Sequence, residues 1–328
     1  MRVLVLGATG LIGSAVVRRL RADGRDVTEA SSSGIEGSTA HGDLRYPGTA
    51  AWLLDITKPD ILIHCAAKID GIAKQKADPS AAVLDNLVMG SQVIDACAKA
   101  KTKLVFLSSS TVYPMTFTSE NGNYLGVHPS REANEAWPRE PEPLYRGVGG
   151  VKVYLEELLD FYADSFGLQS AILRVTAAYG PGDRSNHVIP DLIRRADAGE
   201  IPLTVWGAPD TVRDFVCVDD IADAVAATLS VEGVFNVGSG EQTTIGKLAD
   251  EVLLAVHGPH TIVELEDRYS GGLLRFDTSM PTAIPWRAVS IEKIRSELGW
   301  KPTVSLSDGI RRTLSWWRAK QVARGGHV

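Results

Sequence analysis

Gly7, Gly10 and Gly13 recur three apart between an apolar run, Val3–Leu6, and a segment of helical periodicity that continues to Leu20. An unbroken run of mostly branched apolar residues reads as a buried strand, and the pattern that follows reads as a helix packed on it. The first glycine permits the tight turn out of the strand. The second lets backbone approach a pyrophosphate, and the third lets the helix meet the strand. Free amides at the helix N-terminus then hold phosphate. A glycine triplet alone is weak evidence, but here the flanking strand and helix are both present. The turn therefore proposes Gly7, Thr9, Gly10, Leu11, Ile12 and Gly13 as contacts of a dinucleotide.

The end of the next strand, Asp26–Ala30, bears on which dinucleotide it is. An NAD enzyme usually carries an acid there for the ribose 2′-hydroxyl. Ser31 and Ser32 stand in its place. Serine does not repel a 2′-phosphate as a carboxylate would, so NADP is preferred. No arginine follows directly to clamp that phosphate, so NAD stays possible. At Gly42-Asp43-Leu44, Asp43 is either an acceptor for the adenine amino group, with Leu44 beside it, or a turn aspartate. A third strand, Asp60–Ala67, ends in Ala66, Ala67 and Lys68, small residues first, where backbone must come close to a cofactor.

Behind these residues the chain alternates. A helix is expected over 81–99, a strand over 103–107, a helix over 149–166 and a strand over 171–175. Met115 to Pro143 is polar and proline-rich and reads as an irregular loop over a site. Strands alternating with helices imply a parallel, doubly wound α/β sheet that binds ligands at the carboxyl ends of its strands. The expected division is a Rossmann-type dinucleotide domain over 1–177, to which 213–240 return, and a smaller α/β substrate-binding part over 178–212 and 241–328. A chain of 328 residues, 44% hydrophobic and 23% charged, is ordinary for a soluble globular protein. Its net charge of −6 argues against nucleic acid as a partner. Cys65, Cys97 and Cys217 show neither metal spacing nor a disulfide framework, which points to a reducing compartment. The glycine motif begins too close to Met1 for a signal peptide, and no apolar run has membrane-spanning length. The expectation is a cytoplasmic protein without metal or membrane contact.

Together these pieces resemble the extended short-chain dehydrogenases/reductases of the NAD-dependent nucleotide-sugar epimerase/dehydratase kind. The resemblance rests on Gly7-Ala8-Thr9-Gly10-Leu11-Ile12-Gly13, His64-Cys65-Ala66-Ala67, Leu107–Pro114, Leu173-Arg174, Tyr179-Gly180-Pro181, Val216–Asp220, Phe235–Gly240 and Leu298–Pro302. Within that superfamily the chain is most similar to the GDP-L-fucose synthases. Ala66–Ile72, Asn186–Pro190, and Val205-Trp206-Gly207 leading to Arg213-Asp214-Phe215 carry that likeness.

The resemblance implies a hydroxyl, a phenol and a lysine as catalytic residues, a nucleotide-diphosphate sugar (GDP-linked favoured) as substrate, and a homodimer. Ser109 or Ser110 matches the hydroxyl, and Lys152, followed by Glu156, matches the lysine that binds the ribose. Four residues before Lys152, where the phenol belongs, stands Val148. Tyr145, three residues further back, is either a substitute proton donor or a packing residue; Tyr113 is the weaker stand-in and is usually structural. His187 keeps the position of a histidine near the sugar, with Asn186 beside it, whereas Thr111 occupies the place of the epimerising cysteine. A threonine is a far poorer acid or base than a thiol. Arg213 resembles the arginine that holds the diphosphate, the alternative being an ion pair with Asp210 or Asp214. Arg287 and Arg275 are further candidates. Cys217 reads as buried packing, and so does Trp316-Trp317. The leading expectation is an NADP(H)-dependent 4-ketoreductase/epimerase. The rivals are a redox-neutral nucleotide-sugar 4-epimerase with bound NAD, and a non-catalytic nicotinamide or sugar-nucleotide binding protein.

Overall fold

The computed structural model describes residues 1–33, 40–68, 80–114, 116–118, 124–127, 132–268, 272–280 and 284–323. The Ile69–Ile72 segment of the resemblance lies outside them. The chain opens with β1 (Arg2–Leu6), α1 (Leu11–Ala22), β2 (Asp26–Ala30), α2 (Thr49–Thr57) and β3 (Ile61–His64). Next come α3 (Ser80–Ala100), β4 (Lys103–Ser109), a 3-10 turn at Ser110–Val112, β5 (Thr116–Thr118) and β6 (Tyr124–Val127). A second 3-10 turn, Pro143–Tyr145, leads into α4 (Val148–Phe166), β7 (Ser170–Val175) and β8 (Ala177–Tyr179). The remainder holds α5 (Val188–Asp197), β9 (Leu203–Trp206), β10 (Val212–Arg213), β11 (Phe215–Cys217), α6 (Val218–Ala227) and β12 (Gly233–Val237). It closes with β13 (Thr243–Thr244), α7 (Ile245–Arg268), β14 (Leu274–Asp277), β15 (Trp286–Arg287), α8 (Glu292–Leu298) and α9 (Leu306–Ala323).

Six parallel strands form the main sheet in the order β12-β7-β4-β3-β1-β2. The apolar runs seen in sequence are buried on both faces, as a parallel sheet covered by helices requires. Side chains alternate along a strand. Val3 and Val5 therefore enter the core beneath α1 and α6, while Leu4 and Leu6 enter the opposite core beneath α2, α3 and α4. Ile61 and Ile63 against Leu62, and Val105 and Leu107 against Leu104 and Phe106, repeat the division. Each such side chain contributes about 1.5–3 kcal/mol when fully buried.

From β1 the chain goes to β2 on one side and then to β3 on the other. This reversal opens a crevice at the carboxyl ends of β1 and β3, the position where doubly wound sheets bind ligands.

Residues after Ala178 build a third core, in which Tyr179, Ile189, Leu192, Leu248 and Ile310 are buried and Trp317 packs at the edge. Cys217 is buried in the same core. Gly309 lets α9 lie directly on Tyr179, since a Cβ there would come within 2.1 Å of the phenol oxygen. One expectation needs correcting. The stretch read as an irregular loop contains an antiparallel hairpin, β5 with β6, in which Thr116 pairs with Val127. Its strand-favouring residues, Thr116-Phe117-Thr118 and Tyr124-Leu125, are obscured in sequence by the prolines and polar residues around them.

Candidate active site

The glycine turn is built by contact of backbone with backbone. Gly7 has φ +76°, and a Cβ on it would lie 2.6 Å from the Ala66 nitrogen. A Cβ on Gly13 would lie 2.2 Å from the Gly7 carbonyl oxygen. Gly10 caps α1 without a side-chain hydrogen bond, so the first amides of the helix face the crevice free of a cap. The crevice has a volume of about 390 Å³. Gly7, Thr9, Gly10, Ser31, Ser32, Asp43, Leu44, Ala66, Ala67 and Lys68 all line it, so these candidates meet in one place, whereas Gly13 and Lys152 do not line it. Leu11 and Ile12 pack at the edge of the core behind the turn. Such a cradle fits the pyrophosphate and adenosine of a dinucleotide.

Other lining residues were not among the candidates, Arg45, Cys65, Asp85 and Met89 among them. Asp43 accepts hydrogen bonds from the Arg45 amide at 3.0 Å and from the Arg45 guanidinium at 2.6–3.0 Å. The guanidinium holds this carboxyl below the usual range. Arg45 also lies 3.5 Å from Asp85, which in turn pairs with Lys68 at 2.9 Å. Asn86 fixes the Lys68 backbone by accepting from its amide and donating to its carbonyl. The only signal of this in the sequence was the position of Asp85-Asn86 early in a helix.

Lys152 stands in the second turn of α4. Its Nζ donates to the Leu107 carbonyl at 2.7 Å and lies 4.6 Å over the Phe106 ring. Burial pushes this amine down to about 8, opposed by the nearby Glu156 carboxylate. Burial and the Lys152 charge hold His64 at about 3, so it is neutral, and its Nδ1 has no partner among the described residues. Ser109 accepts hydrogen bonds from the Thr111 amide at 3.2 Å and the Thr111 hydroxyl at 3.0 Å, which leaves its own proton free to be donated. Ser110, by contrast, is buried in the turn. Gly149 brings the start of α4 against this turn, because a Cβ there would meet the Thr111 carbonyl oxygen at 2.5 Å.

Beneath Lys152 and Ser109 lies a buried polar network that was not apparent from the sequence. Glu156 accepts from Ser108, from Arg174 Nε at 3.1 Å and from Arg174 Nη2 at 2.6 Å. Arg174 donates to the Tyr113 oxygen at 2.8 Å, and Tyr113 donates to Asn236 at 2.7 Å. Tyr113 is thus structural.

The chain beyond β8 comes up to the glycine turn. Gly182 lies against Leu11, with an added Cβ 3.9 Å from its Cδ1, which brings the Gly180–His187 loop up to the glycine turn. His187 opens α5, its amide donating to Ser185, and it is half-buried. Asn186 accepts from Arg194 at 3.5 Å. Arg213 forms no ion pair with Asp210 or Asp214; it donates to the carbonyls of Val212 and Ile284. Arg287 is its register partner across β10 and β15, and the Arg287 guanidinium lies 4.7 Å over the Tyr145 ring. Arg275 is placed elsewhere, exposed on β14 and bonded to Thr204. Among the described residues no hydrogen bond joins Tyr145 to Lys152 or Ser109. The described residues hold no cluster of three or more His, Cys, Asp or Glu able to bind a metal, and no described helix is long and apolar enough to cross a membrane.

A dinucleotide cradle on a doubly wound parallel sheet, with a lysine and a serine at the next strand ends, defines a class. Residues 3–238 match the NAD dependent epimerase/dehydratase family, and the chain belongs to it as an NAD(P)-dependent enzyme of the extended short-chain dehydrogenase/reductase type. It is 30% identical to the GDP-L-fucose synthase of Sinorhizobium fredii, over 95% of this chain and 94% of that one. It is also 30% identical to GDP-L-fucose synthase 1 of Arabidopsis thaliana, over 96% and 93%. Among solved structures it is similar to the UDP-glucose 4-epimerase of Thermus thermophilus in complex with NAD. There the TM-score is 0.78, the identity 27%, and the coverage 97% of this chain and 99% of that one.

Proposed function

We propose that the enzyme is an NADP(H)-preferring 4-ketoreductase of nucleoside-diphosphate sugars, GDP-linked ones favoured. The observation that carries this reading is the pair of neighbouring guanidiniums, Arg213 and Arg287, without a carboxylate partner among the described residues, with Arg287 stacked on Tyr145 just before the helix that carries Lys152. Planar, forked donors suit a diphosphate. Full-length similarity to GDP-L-fucose synthases supports the GDP-linked choice. Ser31 and Ser32 in place of an acid support NADP over NAD.

In the proposed reaction the bound nicotinamide supplies the hydride. Ser109 Oγ, with its own proton left free by the bonds it accepts from Thr111, donates a hydrogen bond to the ketone oxygen and polarises it, and the oxyanion formed by hydride addition takes its proton from solvent water. Lys152 turns from the Leu107 carbonyl to the ribose hydroxyls and places its charge beside the reacting carbon. His187 faces the sugar, but Thr111 in place of a thiol makes double epimerisation the weaker part of the reading. The exposed Leu84 of α3 and Tyr154, Phe161 and Phe166 of α4 suit a homodimer built on those two helices. Free cysteines fit the reducing cytoplasm.

The test is turnover in deuterated water with NADPH, then NADH, on GDP-, UDP- and dTDP-linked 4-keto-6-deoxyhexoses. Loss of nicotinamide absorbance with no carbon-bound deuterium is the expected result; deuterium on carbon would add epimerisation. A second reading, redox-neutral 4-epimerisation with bound NAD, draws on the likeness to the T. thermophilus enzyme. It predicts no absorbance change and interconversion of ordinary nucleotide hexoses.

A further inference from the structure

Arg213 and Arg287 face each other in register across β10 and β15. Among the described residues neither has a carboxylate within ion-pair distance. Arg213 is only 7% exposed, and burial together with the Arg287 charge pushes its guanidinium down to about 10. Arg287 Nη1 is buried with no hydrogen-bond partner among the described residues. Two adjacent cations with an unsatisfied donor are costly, and a bound anion removes that cost. Tyr145 completes the group. Its ring lies under the Arg287 guanidinium, its amide is fixed by the Glu142 carbonyl at 2.7 Å, and the residue is 6% exposed. A buried tyrosine normally places its hydroxyl on a partner. Here, among the described residues, the hydroxyl has none, and it is not one of the oxygens sealed from solvent, so a ligand can reach it.

We infer that the Tyr145 hydroxyl is a ligand of the substrate's diphosphate, donating to a phosphate oxygen alongside Arg213 and Arg287. The inference deepens the nucleotide-sugar reading and rests on it. It also removes Tyr145 from the chemistry at the ketone, since a phenol held on phosphate cannot shuttle protons at the sugar carbonyl. Tyr145→Phe then has the signature of a binding change: KM for the sugar nucleotide rises and kcat is kept. A proton donor would show the reverse.

The experiment is calorimetric titration of the full chain with GDP, and with GMP as the ligand lacking the second phosphate, for wild type, Tyr145→Phe and Arg213→Gln. NADPH titration of each sample reports that the cradle is intact. The expected result is GDP affinity about ten-fold weaker in Tyr145→Phe, the scale of one charge-assisted hydrogen bond, with GMP affinity nearly unchanged. If Tyr145→Phe binds GDP like wild type while Arg213→Gln does not, the inference falls and the nucleotide-sugar reading stands. If wild type binds neither GDP, UDP nor dTDP yet still binds NADPH, both fall.

Discussion

Lys152 is a cation held in an apolar slot, and its chemistry follows from that. Because burial lowers its amine to about 8, the native state loses this proton ahead of the unfolded chain. Cofactor affinity is therefore expected to be flat below about pH 7 and to fall as pH rises through 8. In Lys152→Met, NADPH binding measured by fluorescence should be weaker by about ten- to a hundred-fold and lose this pH dependence. Asp214 makes the opposite case. Its Oδ1 accepts from the Ser239 amide and hydroxyl at 2.6 and 2.7 Å, its Oδ2 is buried without a partner among the described residues, and burial raises it to about 6. Between about pH 4 and 6 the native state holds a proton that the unfolded state has released, so stability falls as pH rises across that window. Thermal melts of Asp214→Asn should be flatter than wild type from pH 4 to 6; an unchanged slope would assign the titration to another group.

At the scale of elements, the start of α4 and the Ser110–Val112 turn act as one piece. Gly149 lets them touch, and Glu156 ties the helix to Ser108 and to Arg174 of β7. Gly149→Ala should force the helix off the Thr111 carbonyl, cost ~1–3 kcal/mol in urea denaturation, and lower kcat more than cofactor affinity. Equal loss of both would mean a general disturbance of the fold. This junction also marks where sequence reasoning stops. The strand–glycine–helix start was legible because its period, turn and helix all occur within twenty residues. The pairing of Arg45 with Asp85, the place of Tyr145 under Arg287, and the Glu156–Arg174–Tyr113 chain each join distant segments. Spacing along one strand or helix carries no record of such meetings. The hairpin β5–β6 was hidden for a different reason, its few strand formers being diluted by loop-like neighbours.

The whole molecule has two halves: a sheet that presents a dinucleotide cradle, and a smaller sheet, β13-β10-β15, that presents paired arginines. Its outer face adds a further consequence, since Phe161 and Phe166 of α4 are more than half exposed at 55% and 63%. If that face joins two copies, Phe161→Asp with Phe166→Asp should weaken self-association at least about thirty-fold by sedimentation, with NADPH binding kept. The central claim is that the two halves cooperate in reducing a nucleotide sugar. NADPH deuterated at the reactive nicotinamide carbon, incubated with a GDP-linked 4-keto-6-deoxyhexose, tests it most directly by mass spectrometry of the sugar. One deuteron on the former carbonyl carbon is the predicted result. An unlabelled sugar and unchanged nicotinamide absorbance, with NADPH shown to be bound, would contradict it.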